Sequence, residues 1–296
     1  MKGLLGSIII FALLIPVVAI ATAASDAPPT SSNDHPIERA ALMSLYDSTW
    51  GESWYENTGW GSDSSYCEWY GVTCDPSGRV QNLDLPSNWL IGPIPPQIDG
   101  LAALQRFELS GNLIEDPLPE ELGNLAQLQI LDLSGNYYCF KGCGRSLGGA
   151  IPASLGRLAD LRTLDLSDNV LEGAIPAELG DLAQLQTLDL SGNHYCTPEY
   201  ITGEMICYGG LFGVIPAEFS SLSALEELSL QGNKSLCWET VAARQWALTL
   251  PRYSGPTDCS YLPLLPHLAF EKSAGSGSLT FVKSADPRNG TGFAFD

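Results

Sequence analysis

Three sets of residues in this chain have types and spacings that could do chemistry. Gly144-Arg145-Ser146-Leu147-Gly148 matches the G-x-S-x-G elbow that presents a nucleophilic serine. An elbow needs a strand before it, a helix after it and a histidine within reach as base. This copy falls in an irregular stretch, and the histidines, His35, His194 and His267, are scattered along the chain. The match is read as accidental. The second set is a row of acids, Asp84, Glu108, Asp132, Asp165 and Asp189, continued by Ser229. Each sits between two apolar residues of a recurring L-x-L step. On neighbouring strands such carboxylates would stand roughly 5 Å apart, attract a basic partner or a cation, and steer association. They do not pair around a defined substrate, so glycoside hydrolysis is not read from them. The third set is eight cysteines, an even number that fits disulfides in an oxidising compartment. No metal motif, phosphate loop or dinucleotide fingerprint occurs, so no enzyme activity, metal or cofactor is expected.

Composition narrows the partners. Lys and Arg number 14 against 34 Asp and Glu, a formal net charge of −20. A nucleic-acid binder needs a basic surface to displace phosphate counterions, and an anionic membrane would repel this chain. Hydrophobic residues reach 45 %, enough for a sizeable core, and 30 Gly with 20 Pro demand many tight turns.

The first 24 residues read as an export signal. Lys2 precedes an uncharged apolar run, and Ala21-Thr22-Ala23 supplies a small-residue cleavage pattern before Ser25-Asp26. A secreted or cell-surface protein follows. The competing reading is an uncleaved segment that anchors the chain in a membrane, because the run is long enough to span one. Residues 25–35 form a polar linker.

What positions the acids is a repeat. LADLRTLDLSDNVLEGAIPAELGD begins at Leu158, and the next copy begins 24 residues later at Leu182. Six copies can be tracked by Asn88, Asn112, Asn136, Asn169, Asn193 and Asn233, each closing an L-x-L-x-x-N core. Five run on to Pro95, Pro119, Pro152, Pro176 and Pro216. The L-x-L step is a short strand with its leucines inward and the residue between them outward. The Asn amide can satisfy backbone groups where the chain leaves the strand. Gly92, Gly149, Gly173 and Gly213, each three residues before a Pro, permit a second bend, and Asp116 breaks that rule. No unit buries its leucines alone, so the copies must stack into a solenoid with a parallel sheet on its inner face.

L-x-x-L-x-x-L-x-L-x-x-N-x-L-x-G-x-I-P resembles the plant-type leucine-rich repeat of receptor-kinase ectodomains and polygalacturonase-inhibiting proteins. Cys67-Glu68-Trp69-Tyr70-Gly71-Val72-Thr73-Cys74 resembles the C-x-W-x-G-V-x-C signature of that class's N-terminal cap. The resemblance covers residues 36–260 and implies an α/β-type repeat: a right-handed solenoid with a parallel concave sheet, six repeats of the 24-residue type and disulfide-stapled caps. The front cap takes residues 36–79, the repeats 80–236 and the rear cap 237–260. The tail, 261–296, offers only Leu279-Thr280-Phe281-Val282 as a strand candidate.

In the front cap, Asp34 is expected to cap a helix with Pro36 in its first turn, and Ile37, Ala40, Ala41 and Leu45 to form its apolar stripe. Trp50, Trp54, Trp60 and Trp69 are read as packing over the first repeat rather than as a sugar-binding shelf. At the rear, Glu239 to Leu248 reads as a helix. Location in the repeat pairs the cysteines as Cys67–Cys74, Cys139–Cys143, Cys196–Cys207 and Cys237–Cys259, because distant units of a solenoid cannot meet. Zinc is the competing reading, disfavoured by export and the lack of nearby histidines.

Two insertions, 137–146 and 194–210, interrupt the repeats two units apart and should project from one flank. They carry Tyr137, Tyr138 and Phe140, then His194, Tyr195, Tyr200 and Tyr208. They read either as elaborated loops or as stapled binding ridges. The expected ligand face combines them with the concave residues Asp84, Arg106, Glu108, Asp132, Thr163, Asp165, Thr187, Asp189, Glu227 and Ser229. Asn233-Lys-Ser and Asn289-Gly-Thr are glycosylation acceptor sequences. The expected function is non-enzymatic recognition of an extracellular protein, peptide or cell-wall glycan, with a receptor kinase as one candidate partner. A matrix or adhesion protein is the alternative. Inhibition of wall-degrading enzymes and ice binding follow from the family, though ice binding needs a repeated Thr array and only Thr163 and Thr187 recur.

Overall fold

Alternation of inward leucines and outward polar residues builds a curved wall. The computed structural model describes residues 34–138, 145–198, 205–256, 268–271 and 280–283. The concave strands are β1 (Val72–Cys74), β2 (Val80–Asp84), β3 (Arg106–Glu108), β4 (Ile130–Asp132), β5 (Thr163–Asp165), β6 (Thr187–Asp189), β7 (Glu227–Ser229) and β8 (Arg252–Ser254). They lie in that order in one sheet, antiparallel between β1 and β2 and parallel thereafter. The sheet therefore extends one strand beyond the six repeats at each end, spanning about 34 Å at the usual strand spacing. Register stacks Leu83, Phe107, Leu131, Leu164 and Leu188 on Leu228, all buried, each stabilising the fold by about 1.5–3 kcal/mol.

The sequence did not announce a second sheet. After each Asn the chain re-enters extended conformation, giving strands Ile91–Pro93, Leu113–Pro117, Arg145–Gly149, Val170–Gly173 and Met205–Ile215, with Ser235–Trp238 parallel to the last. Each expected bend is present in the left-handed region: Gly92 φ 128°, Gly149 φ 73°, Gly173 φ 94° and Gly213 φ 91°. Asp116 is forced into the same conformation at φ 63°. The prolines then open single 3₁₀ turns on the convex side, such as Glu120–Asn124 after Pro119 and Ala177–Asp181 after Pro176.

The asparagines stand between the two sheets, five of them at most 2 % exposed. Asn112 Nδ2 donates to Leu109 O in its own turn (2.9 Å) and to Leu85 O of the preceding repeat (2.8 Å). Its Oδ1 accepts from Asn88 N (2.8 Å) and Leu90 N (3.0 Å). Asn136, Asn169, Asn193 and Asn233 repeat the reach backward, onto Leu109, Leu133, Leu166 and Leu190 carbonyls. Asn88, first in the row, turns its amide to both backbone groups of Glu56 and so ties the repeats to the cap.

The front cap departs from expectation in three ways. Helix α1 spans Pro36–Ser48, with His35 at the N-cap position and no side-chain cap bond. Asp34 is occupied elsewhere: it ion-pairs with Arg39 at 2.8 Å and accepts from Ser65 Oγ. The buried stripe is Ala41, Leu42 and Leu45, whereas Ile37 and Ala40 are exposed. Buried Glu38 accounts for the rotation, because it bonds Val80 N (3.0 Å), Tyr66 Oη (2.9 Å) and Arg79 Nε (2.5 Å), pinning the helix to β2. Trp54, Trp60 and Trp69 are buried as expected, and Trp50 is not. The rear helix, α2 (Val241–Ala247), is capped by Thr240, whose side chain accepts from Ala243 N.

The Cys67–Cys74 disulfide is present. Cys196 stands directly opposite Cys207 in the pairing of His194–Pro198 with Met205–Ile215. Cys237 is disulfide-bonded. Cys139, Cys143 and Cys259 lie outside the described residues, as do the export segment and residues 25–33. In the tail, Leu268–Glu271 and Thr280–Lys283 pair as an antiparallel ribbon.

Asp116→Gly should stabilise the protein by about 0.5–1 kcal/mol in urea unfolding, since the side chain is exposed and only the left-handed strain is relieved. Asn169→Ala should cost about 1–3 kcal/mol on the same assay, because Asn136 N loses its acceptor inside the core, while Leu133 O and Leu166 O each drop from two amide donors to the one that Asn136 and Asn193 still supply.

Candidate functional site

Two rows of side chains line the concave face. The register sets Asp84, Glu108, Asp132, Asp165, Asp189, Ser229 and Ser254 side by side, one per strand from β2 to β8. Two residues earlier on each strand run Asn82, Arg106, Ile130, Thr163, Thr187, Glu227 and Arg252. All ten concave residues expected from the sequence fall in these two rows. Thr163 and Thr187 are adjacent, but Ile130 and Glu227 flank them, so the threonine array that ice binding requires stops at two strands.

Charge is distributed unevenly along the rows. At the front, Arg106 Nε bonds Asp84 at 2.8 Å and its Nη2 bonds Glu108. At the rear, Arg252 pairs with Glu227 at 3.0 Å. Between them, Asp132, Asp165 and Asp189 on β4, β5 and β6 have no basic partner among the described residues. Each is held by the serine two residues on: Asp132 Oδ1 accepts from Ser134 N and Oγ, Asp165 from Ser167 and Asp189 from Ser191, all within 3.0 Å. These bonds fix the carboxylates through one oxygen. Burial pushes the Asp165 carboxyl above the usual carboxylate range; the Ser167 bonds oppose this, and the charges of Asp132 and Asp189 add to it. The centre of the face is thus an ordered, partly desolvated row of three anions.

Sequence reading placed the acids and overlooked what separates them. Arg252 lies beyond the last Asn-marked copy, and its strand shows only Tyr253 where the others have Leu or Phe. The serines that hold the aspartates were legible as the S of L-D-L-S, had the Asp–Ser spacing been read as an Asx turn.

The described parts of the insertions pair within the second sheet and not with this face. Tyr137–Tyr138 pairs antiparallel with Arg145–Gly149, and His194–Pro198 with the start of Met205–Ile215, so both are hairpins grown from the second sheet. Tyr137 is exposed, and Tyr195 stands opposite Tyr208 in the second hairpin's register. Phe140 and Tyr200 lie outside the described residues. Ser146 sits within a strand opposite Tyr137, with no strand-to-helix elbow around it. The Asn233 acceptor sequence conflicts with the fold, because its Nδ2 already donates to Leu190 O (2.8 Å) and Leu230 O (2.9 Å) and a glycan would take one of those hydrogens. Asn289 lies outside the described residues.

Comparison with known proteins agrees with this architecture. Leucine-rich-repeat family models match residues 103–125 and 144–194. A stretch of 77 residues is 39 % identical to a probable inactive leucine-rich repeat receptor-like protein kinase of Arabidopsis thaliana, and it spans only 11 % of that relative. A chain of the BIR3–SERK2 complex from Arabidopsis thaliana is 30 % identical over 73 % of this chain and 98 % of its own, with a TM-score of 0.51. The ectodomain of the receptor kinase SOBIR1, from the same plant, is 26 % identical over 70 % of this chain and 96 % of its own, also at 0.51. The chain belongs to the leucine-rich-repeat family, and its solenoid is of the kind found in plant extracellular receptor domains.

Proposed function

We propose that this protein is a non-enzymatic extracellular recognition module that binds a basic segment of a protein or peptide across β4, β5 and β6. The observation that carries the reading is the run Asp132, Asp165 and Asp189, left without a base among the described residues while Arg106 and Arg252 at the two ends of the face are spent on Asp84, Glu108 and Glu227. A scaffold selected for stability alone would not place like charges on adjacent strands. Here they focus a negative potential on a curved platform too wide for a small ligand and suited to an extended chain. Similar solved structures support a recognition role: one is the BIR3–SERK2 complex, another is PEPR1–AtPEP1, and a third is the ectodomain of the receptor kinase SOBIR1. A receptor-kinase ectodomain or its peptide is therefore a fitting partner. No helix of the described residues is long and apolar enough to cross a membrane.

The triple variant Asp132→Asn, Asp165→Asn, Asp189→Asn tests this. Immobilised wild-type protein should capture a partner from native extracellular fluid, and capture should fall at least tenfold in the variant and decline with added salt. Undiminished capture by a folded triple variant would remove the binding site from the concave row.

The same residues link recognition to stability. The Asp165 carboxyl holds its proton more readily in the folded chain than in the unfolded one, so its favourable contribution is present at low pH and lost as pH rises through the folded-state value. Asp165→Asn keeps an oxygen for Ser167 and discards the charge. It should raise the thermal midpoint at pH 7, on the order of 2–4 °C per kcal/mol in a domain of this size, with the gain shrinking toward pH 3.

A further inference from the structure

Helix α1 crosses the cap from one sheet to the other. Its first turn is tied to the concave sheet through Glu38 and Val80, and its end to the second sheet, where Ile91 N donates to Thr49 O (3.1 Å) and Ser48 Oγ to Pro93 O (2.9 Å). Thirteen residues make the helix about 20 Å long, so what lies at its C-terminus is well separated from the aspartate row. A cavity of about 340 Å³ opens there, lined by Tyr46, Asp47, Trp50, Gly51, Glu52 and Ser53.

Every element of this cavity favours a cation. The helix C-terminus carries partial negative charge that a basic residue would ordinarily offset, yet the last turn holds Asp47 and no base. Asp47 and Glu52 are exposed, and among the described residues neither has an ion-pair partner. The rings supply the rest. Tyr46 is fixed by stacking on Trp60 (5.9 Å, 9° between planes) and by the edge of Trp54, and Gly51 lies so close against it that a Cβ would collide with the ring. Both carboxylates act on the Tyr46 hydroxyl: it is pushed up first by burial, then by the charges of Glu52 and Asp47. Trp50, 60 % exposed, offers its indole at the rim.

We propose that this cavity receives an arginine side chain from a partner protein, as a second recognition site independent of the concave row. A guanidinium is planar enough to lie on the Trp50 indole while donating to Asp47 and Glu52, which an ammonium cannot do as well. Charge complementarity selects this occupant: a neutral sugar would leave the two carboxylates and the helix end uncompensated, and an anionic surface would be repelled.

The probe is the peptide acetyl-Gly-Arg-Gly-amide, titrated into the full chain and followed by the NMR signal of the Trp50 indole N–H. That signal is assigned by its disappearance in Trp50→Gly, a change that also relieves a left-handed backbone (φ 56°) and so keeps the fold. The signal should shift and saturate with a dissociation constant on the order of 1–10 mM. It should stay still with the citrulline peptide, which has the same shape without the charge. Asp47→Asn with Glu52→Gln should weaken binding at least tenfold, while the concave triple variant should bind the probe as wild type does. An equal response to citrulline, an undiminished response in the Asp47/Glu52 double variant, or no shift at 20 mM would each overturn the assignment.

Discussion

Everything in this solenoid depends on satisfying backbone groups at the place where the chain passes from the concave sheet to the second sheet. There the strand has ended, water is excluded, and the carbonyls of Leu85, Leu109, Leu133, Leu166 and Leu190 would otherwise face the core unpaired. One side-chain amide per repeat answers the demand, because asparagine carries two donors and an acceptor at the right reach. Nδ2 serves its own turn and the turn of the preceding repeat, and Oδ1 takes an amide from that preceding repeat. The amide column thereby couples neighbours with direction, which hydrophobic packing lacks.

That coupling explains where variation is permitted. Both insertions begin immediately after their asparagine, at Tyr137 and His194, and return to the second sheet before the next bend. Extra chain is tolerated there because it lies outside the satisfied crossing and pairs with itself as a hairpin. On the other side of the column, the concave strands are held in register to within a residue, so the outward positions form rows without further help. The aspartates need only the adjacent serine to be oriented. A rigid frame makes it possible to hold three anions on adjacent strands at a cost in stability, which is how recognition surfaces are commonly built.

The repeat unit was legible because its requirements are local. Leucines at alternate positions, an asparagine at the turn and a glycine before the proline each answer a constraint within one copy, and Asp116 was visible as the exception that the backbone then confirmed. The second sheet was not legible, since its strands, such as Leu113–Pro117, show no alternation and are defined by pairing with neighbours. Cap details depended on contacts far away in sequence. Asp34 reads as a helix cap until Arg39 and Ser65 are seen to claim it, and Ile37 reads as core until Glu38 turns the helix toward Val80. Trp50 was grouped with three packing tryptophans by proximity in sequence, and only its φ and exposure set it apart. The aspartate row was legible, but its division into neutralised ends and an open centre needed Arg252 beyond the last recognisable copy.

Native-state hydrogen exchange at the amides that donate to asparagine Oδ1 tests the central claim most directly. Leu90, Ile114, Leu171 and Leu211 supply these amides, in the units that follow Asn88, Asn112, Asn169 and Asn193. If the amide column couples the repeats, Leu90, Ile114 and Leu171 should exchange only through global unfolding, with the same free energy and denaturant dependence as the core amides of Leu131 and Leu164. Exchange of these amides through local opening, well before the concave core, would show that leucine packing alone holds the repeats together and that the asparagine column is incidental.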